Sequence, residues 1–529
     1  MKAKDFSYDY IIIGSGFGGA VSALRLTEKG YKVLVIEKGR FFKPEDFPKT
    51  NWQLRKWLWW PALKMFGIQK VSFFKHISVL SGVGVGGGSL VYANTLPKPK
   101  SPFFNQGTWQ GLEPWERVLE PYYKKAYQML GAAENPYLAP VDLALKKIAE
   151  KMNKPFKPVK VSIFFGPKNK QVSDPYFNGN GPKRSGCNFC GACMTGCRYN
   201  AKNSLDKNYL YLAQKKGARI LAEHEVIDII PLNKNGSKGY EVVFKKSTAY
   251  FAKKKQLKTK GVIFSGGVLG TVPLLLKLKK TNLPLLSDMV GKMVRTNNES
   301  LIFNTVYKGH LKGKMSEGIA IGSIMTYDEN SHIEPVRYGK GSGIWGLLAV
   351  PTVHQSNFVL RSLTLLYKII KYLPVRLKML LFDDFAANSV VLLFMQHLDS
   401  TIQLKRNRWG IYTSQEKEGI KPTAFIPEAL HFAHKFSKTI KAIPMVLFTE
   451  SVSGIPSTAH ILGGACMGQT DSEGVIDKNN KVFNYHNLYV FDGSMISANP
   501  GVNPSLSITA ITEYGMSKIP PKTNAVHKK

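Results

Sequence analysis

Acidic residues and cysteines are scarce in this chain, and long apolar runs are absent from its sequence. Only 36 Asp and Glu stand against 73 Lys and Arg, so the formal net charge is +37 over 529 residues. Four of the five cysteines fall within 187–197, which indicates a local site and argues against a disulfide framework. No apolar run reaches the roughly 18 residues of a membrane-spanning helix, and the first residues do not have the composition of a signal peptide. We therefore expect a cytoplasmic globular protein.

The excess of positive charge predicts attraction to polyanions, either nucleic acid or an anionic membrane surface. The alternative is that the lysines form solvated faces without a partner. The sequence has no zinc-finger spacing, no RNP motif and no long basic helix, so we expect no nucleic-acid partner. With 529 residues the chain exceeds the roughly 250–300 at which a single core stops growing, so two or more domains are expected.

A glycine turn near the start of the chain is typical of dinucleotide-binding domains. A short apolar run leads into Gly14-x-Gly16-x-x-Gly19, a helical segment follows, and a second apolar run ends at Glu37. Gly14 permits a tight turn, Gly16 lets the backbone approach a pyrophosphate, and Gly19 allows the helix to pack closely on the strand. Glu37 is placed to accept hydrogen bonds from ribose hydroxyls, which argues against a 2′-phosphate. This unit alone does not separate NAD from FAD.

A second glycine-rich segment covers residues 81–94. Its glycines would bring bare backbone close to a flat ligand, with N–H groups free to donate. An ordinary structural hairpin is the alternative. Further along, a predicted strand pair contains Val226, and another predicted strand ends in a turn at Ser265 and Gly266.

The cysteine cluster has the spacing of a bacterial ferredoxin run. Cys187-x-x-Cys190-x-x-Cys193-x-x-x-Cys197 matches that run, although Arg198 replaces the usual following proline. In ferredoxins the fourth cysteine serves a second cluster. Here Cys197 would therefore have to fold back to the same site, or Cys466 or a non-thiolate ligand would complete it. Three interpretations stay open: an iron–sulfur cluster, a structural zinc ion, or a reduced loop without metal.

Three segments together resemble the glucose–methanol–choline (GMC) flavoprotein oxidoreductases, and within that family they are most similar to the bacterial cholesterol oxidases. They are the glycine turn at 10–19, the stretch His460-Ile461-Leu462-Gly463-Gly464, and the closing stretch 499–510 that contains Asn503. The resemblance extends over about 9–300 and 455–515 and is poor over 301–454. It implies FAD as the cofactor and an alcohol as the substrate.

The resemblance assigns roles to the catalytic candidates. His460 and Asn503 match the positions that hold the sterol hydroxyl beside the flavin, and histidine suits proton transfer because its pKa lies near the working pH. The other main pattern of the family has a second histidine where Asn503 stands, so the asparagine favours the sterol-type members. Cholesterol oxidases also carry a glutamate that moves a double bond after oxidation, and Glu334 is a candidate for it.

The resemblance also implies where the cofactor lies. The segment 81–94 would run beside the isoalloxazine ring, Val226 would contact adenine, and a helix after Pro504 would point its positive end at the flavin pyrimidine. We expect the FAD to be bound noncovalently, because 81–94 contains no histidine for a covalent link. The residues expected to bind FAD are Gly14, Gly16, Gly19, Glu37, Gly88, Ser89, Asn94, Val226, Ser265, Gly266, Asp492 and Gly493.

The family layout predicts an α/β (α+β) fold with two domains. A Rossmann-like FAD-binding domain, discontinuous in sequence, would take 1–98, 205–300 and 455–529. A substrate domain built on an antiparallel sheet roofed by helices would take 99–204 and 301–454.

We therefore expect FAD-dependent oxidation of a secondary alcohol by hydride transfer to flavin N5. The expected substrate is the 3β-hydroxyl of a sterol, with oxygen as the acceptor and steroid double-bond isomerisation as a further step. The alternative is a GMC-type dehydrogenase of another alcohol that passes electrons through an iron–sulfur site to a carrier. A binding protein with a vestigial flavin fold is disfavoured by the intact glycine turn, His460 and Asn503.

Two segments predict peripheral contact with a membrane surface. Residues 52–60 contain four of the eight tryptophans, interleaved with cations. Residues 358–373 are mostly apolar, and Pro374 breaks this pattern. Three cations of that stretch would share one helical face over anionic lipid while an apolar face enters the headgroup region: Arg361, Lys368 and Lys371. The alternative is that both segments are buried in the substrate domain.

Overall fold

The computed structural model describes residues 6–353, 357–381, 383–415 and 420–523. The α-helices are α1 (Phe17–Glu28), α2 (Leu54–Trp57), α3 (Ser101–Phe104), α4 (Trp115–Met129), α5 (Pro140–Lys151), α6 (Tyr209–Lys215), α7 (Val268–Lys279), α8 (Ile344–Leu348), α9 (Phe358–Leu381), α10 (Phe385–Asn388), α11 (Pro427–Ile440), α12 (Phe448–Ser453) and α13 (Ser505–Ser517). The strands are β1 (Tyr8–Ile13), β2 (Val33–Ile36), β3 (Trp59–Trp60), β4 (Met65–Phe66), β5 (Gln69–Phe73), β6 (Ser78–Gly82), β7 (Ala133–Glu134), β8 (Phe156–Pro158), β9 (Lys160–Val161), β10 (Arg219–Leu221), β11 (His224–Pro231), β12 (Tyr240–Lys246), β13 (Lys255–Phe264), β14 (Val294–Arg295), β15 (Glu299–Val306), β16 (Ser323–Thr326), β17 (Ser331–Val336), β18 (Ala349–Pro351), β19 (Ser389–Gln396), β20 (Thr401–Asn407), β21 (Gly410–Gln415), β22 (Ala442–Leu447), β23 (Ser457–Thr458) and β24 (Leu488–Val490).

A seven-stranded sheet forms the nucleotide-binding half of the molecule. Its order is β10-β2-β1-β13-β12-β11, and β24 pairs in parallel with β13. β1 lies between β2 and β13 and is parallel to both. All four residues of β2 are buried, as expected for a parallel strand covered on both faces. The glycine turn follows β1, so it lies at the carboxyl edge of this sheet, where open α/β sheets bind ligands.

A second seven-stranded sheet is antiparallel, in the order β18-β22-β15-β19-β17-β16-β8. Residues of β19 alternate between its two faces because side chains along a strand have a period of two. Leu392 and Phe394 pack in the cluster that contains Phe432 of α11, while Val391 and Leu393 point to the opposite face and line a cavity. Helices therefore cover one face of this sheet, and the other face is available to a ligand.

The predicted fold class is confirmed: a Rossmann-like half adjoins an antiparallel sheet covered by helices. The strands of the first sheet come from the three segments predicted for the FAD-binding domain. One helix of the predicted substrate segment, α4, packs against α13 of the nucleotide-binding half. The domain boundaries themselves remain a prediction.

The apolar helical pattern of 358–373 was predicted to break at Pro374, but the helix continues to Leu381 as α9. Proline removes one backbone hydrogen bond, but contacts on the inner face of the helix extend past it, since Arg376 donates to the carbonyl oxygen of Ala349. Within the described part of the chain, no helix combines the length and apolar character needed to cross a membrane.

Candidate active site

The glycine turn joins β1 to α1 in a close-packed corner. Gly14 has a φ of +97°, in the left-handed region that favours glycine. A Cβ atom on Gly18 would lie 1.7 Å from the carbonyl oxygen of Phe491, and one on Gly19 would lie 2.1 Å from that of Gly14. Only glycine at these positions lets α1 approach the sheet this closely, so its amino end is directed at the carboxyl edge of β1.

Glu37 follows β2 and is buried beside the glycine turn. One carboxylate oxygen accepts hydrogen bonds from the Ser15 amide at 3.0 Å and the Ser15 hydroxyl at 2.7 Å, and the other accepts from the Gly39 amide at 2.8 Å. These donors fix the carboxylate in one orientation. Two carboxylate oxygens offer about four acceptor sites, so capacity for a ligand hydroxyl remains.

A cavity of about 770 Å³ begins at Glu37 and extends between the two large sheets. It passes Gly16, where an added Cβ would meet only the Ser265 carbonyl oxygen at 3.9 Å, so the backbone there is open to a ligand. It continues past His460 and ends among aromatic and aliphatic side chains that include Trp345. The lining therefore suits a dinucleotide beside the glycine turn and a hydrophobic molecule beside Trp345.

Most of the residues predicted to bind FAD line this cavity: Gly14, Gly16, Glu37, Gly88, Val226, Ser265, Gly266, Asp492 and Gly493. Three do not. Gly19 is covered by Gly14, and the Ser89 hydroxyl is engaged by the Gly86 carbonyl and the Leu205 amide. Asn94 lies along a second pocket described below. The lining fits FAD, but the roles of individual residues remain predictions.

Asp492 connects the turn that follows β24 with the turn at Gly267, and both turns line the cavity. Its carboxylate accepts hydrogen bonds from the amide and hydroxyl of Ser494, from the Gly267 amide at 2.9 Å and from the Thr271 hydroxyl at 2.5 Å. Burial raises the pKa of Asp492, and these donors only partly offset it. Asp492 therefore holds the end of β24 against the start of α7.

His460 lies on the cavity wall, and a buried carboxylate holds its ring. Nδ1 of His460 is 2.5 Å from Oε2 of Glu299, the first residue of β15, and the other oxygen of Glu299 accepts from the Ala459 amide. Glu299 is 3% exposed. Burial lowers the pKa of His460, but the negative charge and hydrogen bond of Glu299, with a further contribution from Glu334, raise it above its usual value. This contact keeps the proton on Nδ1 and leaves Nε2 facing the cavity.

Asn503 lies next to His460 and is anchored from behind by a second carboxylate. With its amide nitrogen turned to Glu334, it donates to Oε1 at 3.0 Å and Oε2 at 3.2 Å. The opposite orientation would oppose the amide oxygen to these two acceptors. The amide oxygen of Asn503 is then 3.5 Å from Nε2 of His460, from which it can accept when the imidazole is protonated at both nitrogens. The structure thus brings together His460 and Asn503, which are 43 residues apart, and adds a carboxylate behind each.

Glu334 has no exposed surface and does not line the cavity, because Asn503 lies in front of it. Its side chain is also 3.6 Å from Nε2 of His332. Glu334, the candidate for moving the double bond, therefore lies in the site and is separated from the cavity by Asn503.

Two buried carboxyl groups of this region were missed by the sequence analysis, Glu299 and Glu450. Glu450 is fully buried, one of its oxygens has no partner among the described residues, and burial raises its pKa to about 8. Nearby Glu299 adds to that rise, and a hydrogen bond from Ser457 opposes it. Glu299 is 161 residues from His460. Neither residue has a local motif, so no sequence signal could have identified them.

The four clustered cysteines are free thiols around a small pocket of about 20 Å³, which Asn94 also lines. Within the described residues, no group of three or more His, Cys, Asp or Glu side chains is arranged to hold a metal ion. Burial raises the pKa of the Cys193 thiol to about 11, so the thiol is neutral near pH 7. Lys202 connects this loop to the flavin segment by donating to the carbonyl oxygens of Leu90, Tyr92 and Cys193. The structure of the described residues therefore gives no support to the iron–sulfur and zinc interpretations.

Models of known protein families match three segments of this chain. Two models described as GMC oxidoreductase match residues 179–279 and 423–512. A model described as an NAD(P)-binding Rossmann-like domain matches residues 12–42, which contain the glycine turn.

Individual relatives extend over nearly the whole chain. A cholesterol oxidase of Acinetobacter baumannii is 44% identical over 99% of this chain and 96% of its own length. A cholesterol oxidase of Mycobacterium tuberculosis is 40% identical, over 97% of this chain and 91% of its own length. A long-chain-alcohol oxidase of Arabidopsis thaliana is 24% identical, over 97% and 67%. Among solved structures, pyridoxine 4-oxidase from Mesorbium loti superposes with a TM-score of 0.61 at 14% identity, covering 96% of this chain and 98% of that one, and it supports the fold alone.

Proposed function

This chain belongs to the GMC oxidoreductase family and is an FAD-dependent alcohol oxidoreductase, and on that premise we propose that it oxidises the 3β-hydroxyl of a sterol with molecular oxygen as the electron acceptor. The observation that carries the proposal is the character of the cavity beyond His460 and Asn503. Its walls there are aliphatic and aromatic: Leu301, Phe303, Val336, Trp345, Val391 and Leu393. Such a chamber suits a rigid hydrocarbon with one polar end. The relatives at 40–44% identity, which are named cholesterol oxidases, support the same substrate.

The FAD would be held without a covalent bond. Its pyrophosphate would meet the amino end of α1, where free N–H groups and the helix dipole favour anions. Glu37 would accept from its ribose hydroxyls, and Val226 would contact its adenine. The amino end of α13, whose first residue Ser505 lines the cavity, would stabilise negative charge on the flavin.

When bound, FAD supplies the hydride acceptor, and the residues of this chain handle the proton. Nδ1 of His460 keeps its proton in the hydrogen bond to Glu299, so Nε2 accepts the proton of the substrate hydroxyl. The imidazolium that results is stabilised by the carboxylate of Glu299. The amide of Asn503, held by Glu334, restricts where the hydroxyl oxygen can lie beside Nε2.

We also propose that Glu334 carries out the double-bond isomerisation. That step needs a base to remove a proton from the carbon beside the new ketone and to return it further along the ring. Glu334 is the carboxylate behind Asn503, with hydrogen bonds of 3.0 and 3.2 Å that a rotation of the Asn503 side chain would release. The expected result for Glu334→Gln is oxidation without formation of the conjugated enone, which ultraviolet absorbance of the product detects. Unchanged enone formation would reject Glu334 as the base.

Oxygen is favoured over a carrier because the relatives at 40–44% identity are named oxidases. A relay through an iron–sulfur site has no support, since the described residues offer no arrangement of three or more ligands for a metal ion. The dehydrogenase alternative would regain support if the purified protein reduced an artificial carrier but consumed no oxygen.

The function is tested by anaerobic reduction of the bound flavin. Addition of a 3β-hydroxysterol should bleach the oxidised flavin absorbance, and admission of air should restore it with formation of hydrogen peroxide. A 3α-epimer serves as the matched control and should react slowly, since its hydroxyl would point away from His460. His460→Ala should keep the flavin and lower the reduction rate by roughly 10²–10⁴, the usual effect of losing a positioned acid–base group. Asn503→Ala should also keep the flavin and reduce it more slowly, because the hydroxyl oxygen is then no longer held in place.

Two outcomes would contradict this assignment. Reduction by short-chain alcohols but not by sterols would reject the substrate class. A rate in either variant equal to that of the unaltered protein would reject the assigned residue.

A further inference from the structure

The long helix α9 presents an apolar face to solvent. Six side chains at three- and four-residue spacing are between 43% and 61% exposed: Leu363, Leu366, Tyr367, Ile370, Leu373 and Leu377. Residues at this spacing lie on one side of a helix, and the charged residues of α9 lie outside this strip. With 24 residues the helix is roughly 36 Å long at 1.5 Å per residue. Soluble monomers rarely expose a continuous apolar strip of this length, which indicates an interaction surface.

Three of the cations of α9 are turned towards the protein. Arg361 donates to the carbonyl oxygen of Val452, Lys368 donates to that of Thr352, and Arg376 donates to that of Ala349. The predicted arrangement, with Arg361 and Lys368 lying over anionic lipid, is therefore wrong for these two. Their attachment to backbone carbonyls fixes the rotation of the helix and keeps its apolar side outward.

Neighbouring elements add exposed apolar groups beside α9. Leu347 of α8 is 55% exposed, and Phe448 of α12 is 48% exposed. Both follow cavity residues closely in sequence, since Trp345 and Leu447 line the cavity. α9 contacts both α12 and β18, the strand that follows α8. The exposed apolar surface is thus formed by elements that adjoin the wall of the proposed sterol chamber.

We propose that the outward face of α9, with the adjacent tips of α8 and α12, is a docking surface for a lipid bilayer, from which the substrate enters the cavity. The inference rests on the proposed function, because a sterol is held in membranes and is nearly insoluble in water. An amphipathic helix that lies in the headgroup region buries one apolar side and keeps its polar side on the protein. Lys371 and Lys378 flank the apolar strip on one edge, where they meet lipid phosphates.

The net charge favours a lipid bilayer over a second copy of the chain as the partner of this surface. At +37 two copies repel each other, whereas an anionic bilayer attracts each of them.

Two tryptophans of the segment 52–60 are buried, at 3% and 9% exposure, and the other two, Trp52 and Trp60, are 49% and 55% exposed. Trp52 lies beside Gly343 at the start of α8. Tryptophan favours the membrane interface, so Trp52 extends the same surface.

The test is cosedimentation of the FAD-loaded full chain with vesicles of phosphatidylcholine alone and with added phosphatidylserine, at low and high salt. The protein should bind both vesicle types, more tightly to the anionic one. The double variant Leu366→Glu/Ile370→Glu should bind at least about tenfold more weakly, because two apolar side chains leave the interface and two charges would have to enter it. Leu143→Glu, on the exposed side of α5, is the matched control and should bind like the unaltered protein.

Activity measurements separate docking from catalysis. The double variant should oxidise cyclodextrin-delivered sterol at the rate of the unaltered protein and oxidise vesicle sterol at least about tenfold more slowly. If vesicle binding behaves as expected but neither protein oxidises sterol in either form, the proposed substrate fails and the docking surface stands.

Several results would overturn the docking surface. Absence of binding at low salt would do so, as would equal vesicle binding by the double variant and the unaltered protein. Binding only to anionic vesicles that salt abolishes would show adsorption by charge alone. A dimer that the double variant converts to monomers in sedimentation velocity would make α9 a subunit interface.

Discussion

Replacement of Glu299 by Gln tests whether the carboxylate behind His460 contributes to catalysis. Gln keeps an acceptor oxygen for Nδ1 but removes the negative charge from a contact of 2.5 Å in a buried setting. A hydrogen bond to a charged group contributes about 1.5–3 kcal/mol and a neutral one about 0.5–1.5 kcal/mol, so the substitution removes about 1–1.5 kcal/mol. At about 1.4 kcal/mol for each factor of ten, anaerobic flavin reduction should slow by roughly 5- to 12-fold.

The same substitution has a defined effect on the pH profile. His460 must be neutral at Nε2 to accept the hydroxyl proton, so the rate falls as the pH drops through the pKa of His460. Glu299 raises that pKa, so removing the negative charge of Glu299 should move the acidic limb of the profile to lower pH. The substrate concentration for half-maximal rate should change little, because Glu299 does not line the cavity.

The assay is stopped-flow reduction of the flavin by a sterol without oxygen, at a series of pH values. Glu450→Gln is the matched control, since Glu450 is a neighbouring buried carboxyl group without a hydrogen bond to His460 and is mostly protonated at neutral pH. It should leave the acidic limb in place. A normal rate in Glu299→Gln, or an acidic limb that does not move, would refute the role of this carboxylate.

Three further predictions concern stability, packing and the cofactor. The pKa of Glu450 is about 8 in the folded chain against an ordinary value of 4.5, so the contribution of this group to stability is complete below pH 4.5 and is lost as the pH rises to 8. The stability of Glu450→Gln relative to the unaltered protein should therefore increase with rising pH, by at most about 5 kcal/mol. A constant difference in stability across this range would contradict the raised pKa. Gly18→Ala should abolish flavin binding or folding, because its Cβ would lie 1.7 Å from the Phe491 carbonyl oxygen; a flavin content equal to that of the unaltered protein would reject this packing argument. Anaerobically purified protein should release all of its flavin on denaturation and contain neither iron with acid-labile sulfide nor zinc in stoichiometric amount, and flavin that stays with the precipitate or a full complement of either metal would show that this is wrong.

Features that depend on neighbouring residues could be predicted from the sequence. The turn at Gly14 follows from a short-range pattern of strand, glycines and helix, and the structure has β1, α1 and β2 in that order. His460 and Asn503 were paired through the resemblance to a family, and they are adjacent in the structure. Glu334 was named as a candidate without a motif, and its contact with Asn503 became visible only in the folded chain.

The sequence by itself determined the fold class, the glycine turn and the family, because these depend on periodicity and on motifs within short stretches of chain. Tertiary structure alone decided which carboxylate holds His460, since the partner lies 161 residues away on a strand of the other sheet. It also decided the orientation of α9. An amphipathic pattern defines two faces of a helix but not which of them meets the protein, and here hydrogen bonds to backbone carbonyls turn Arg361, Lys368 and Arg376 inward. The same reason applies to the cysteines, because spacing along the chain does not set the distances between sulfur atoms in space.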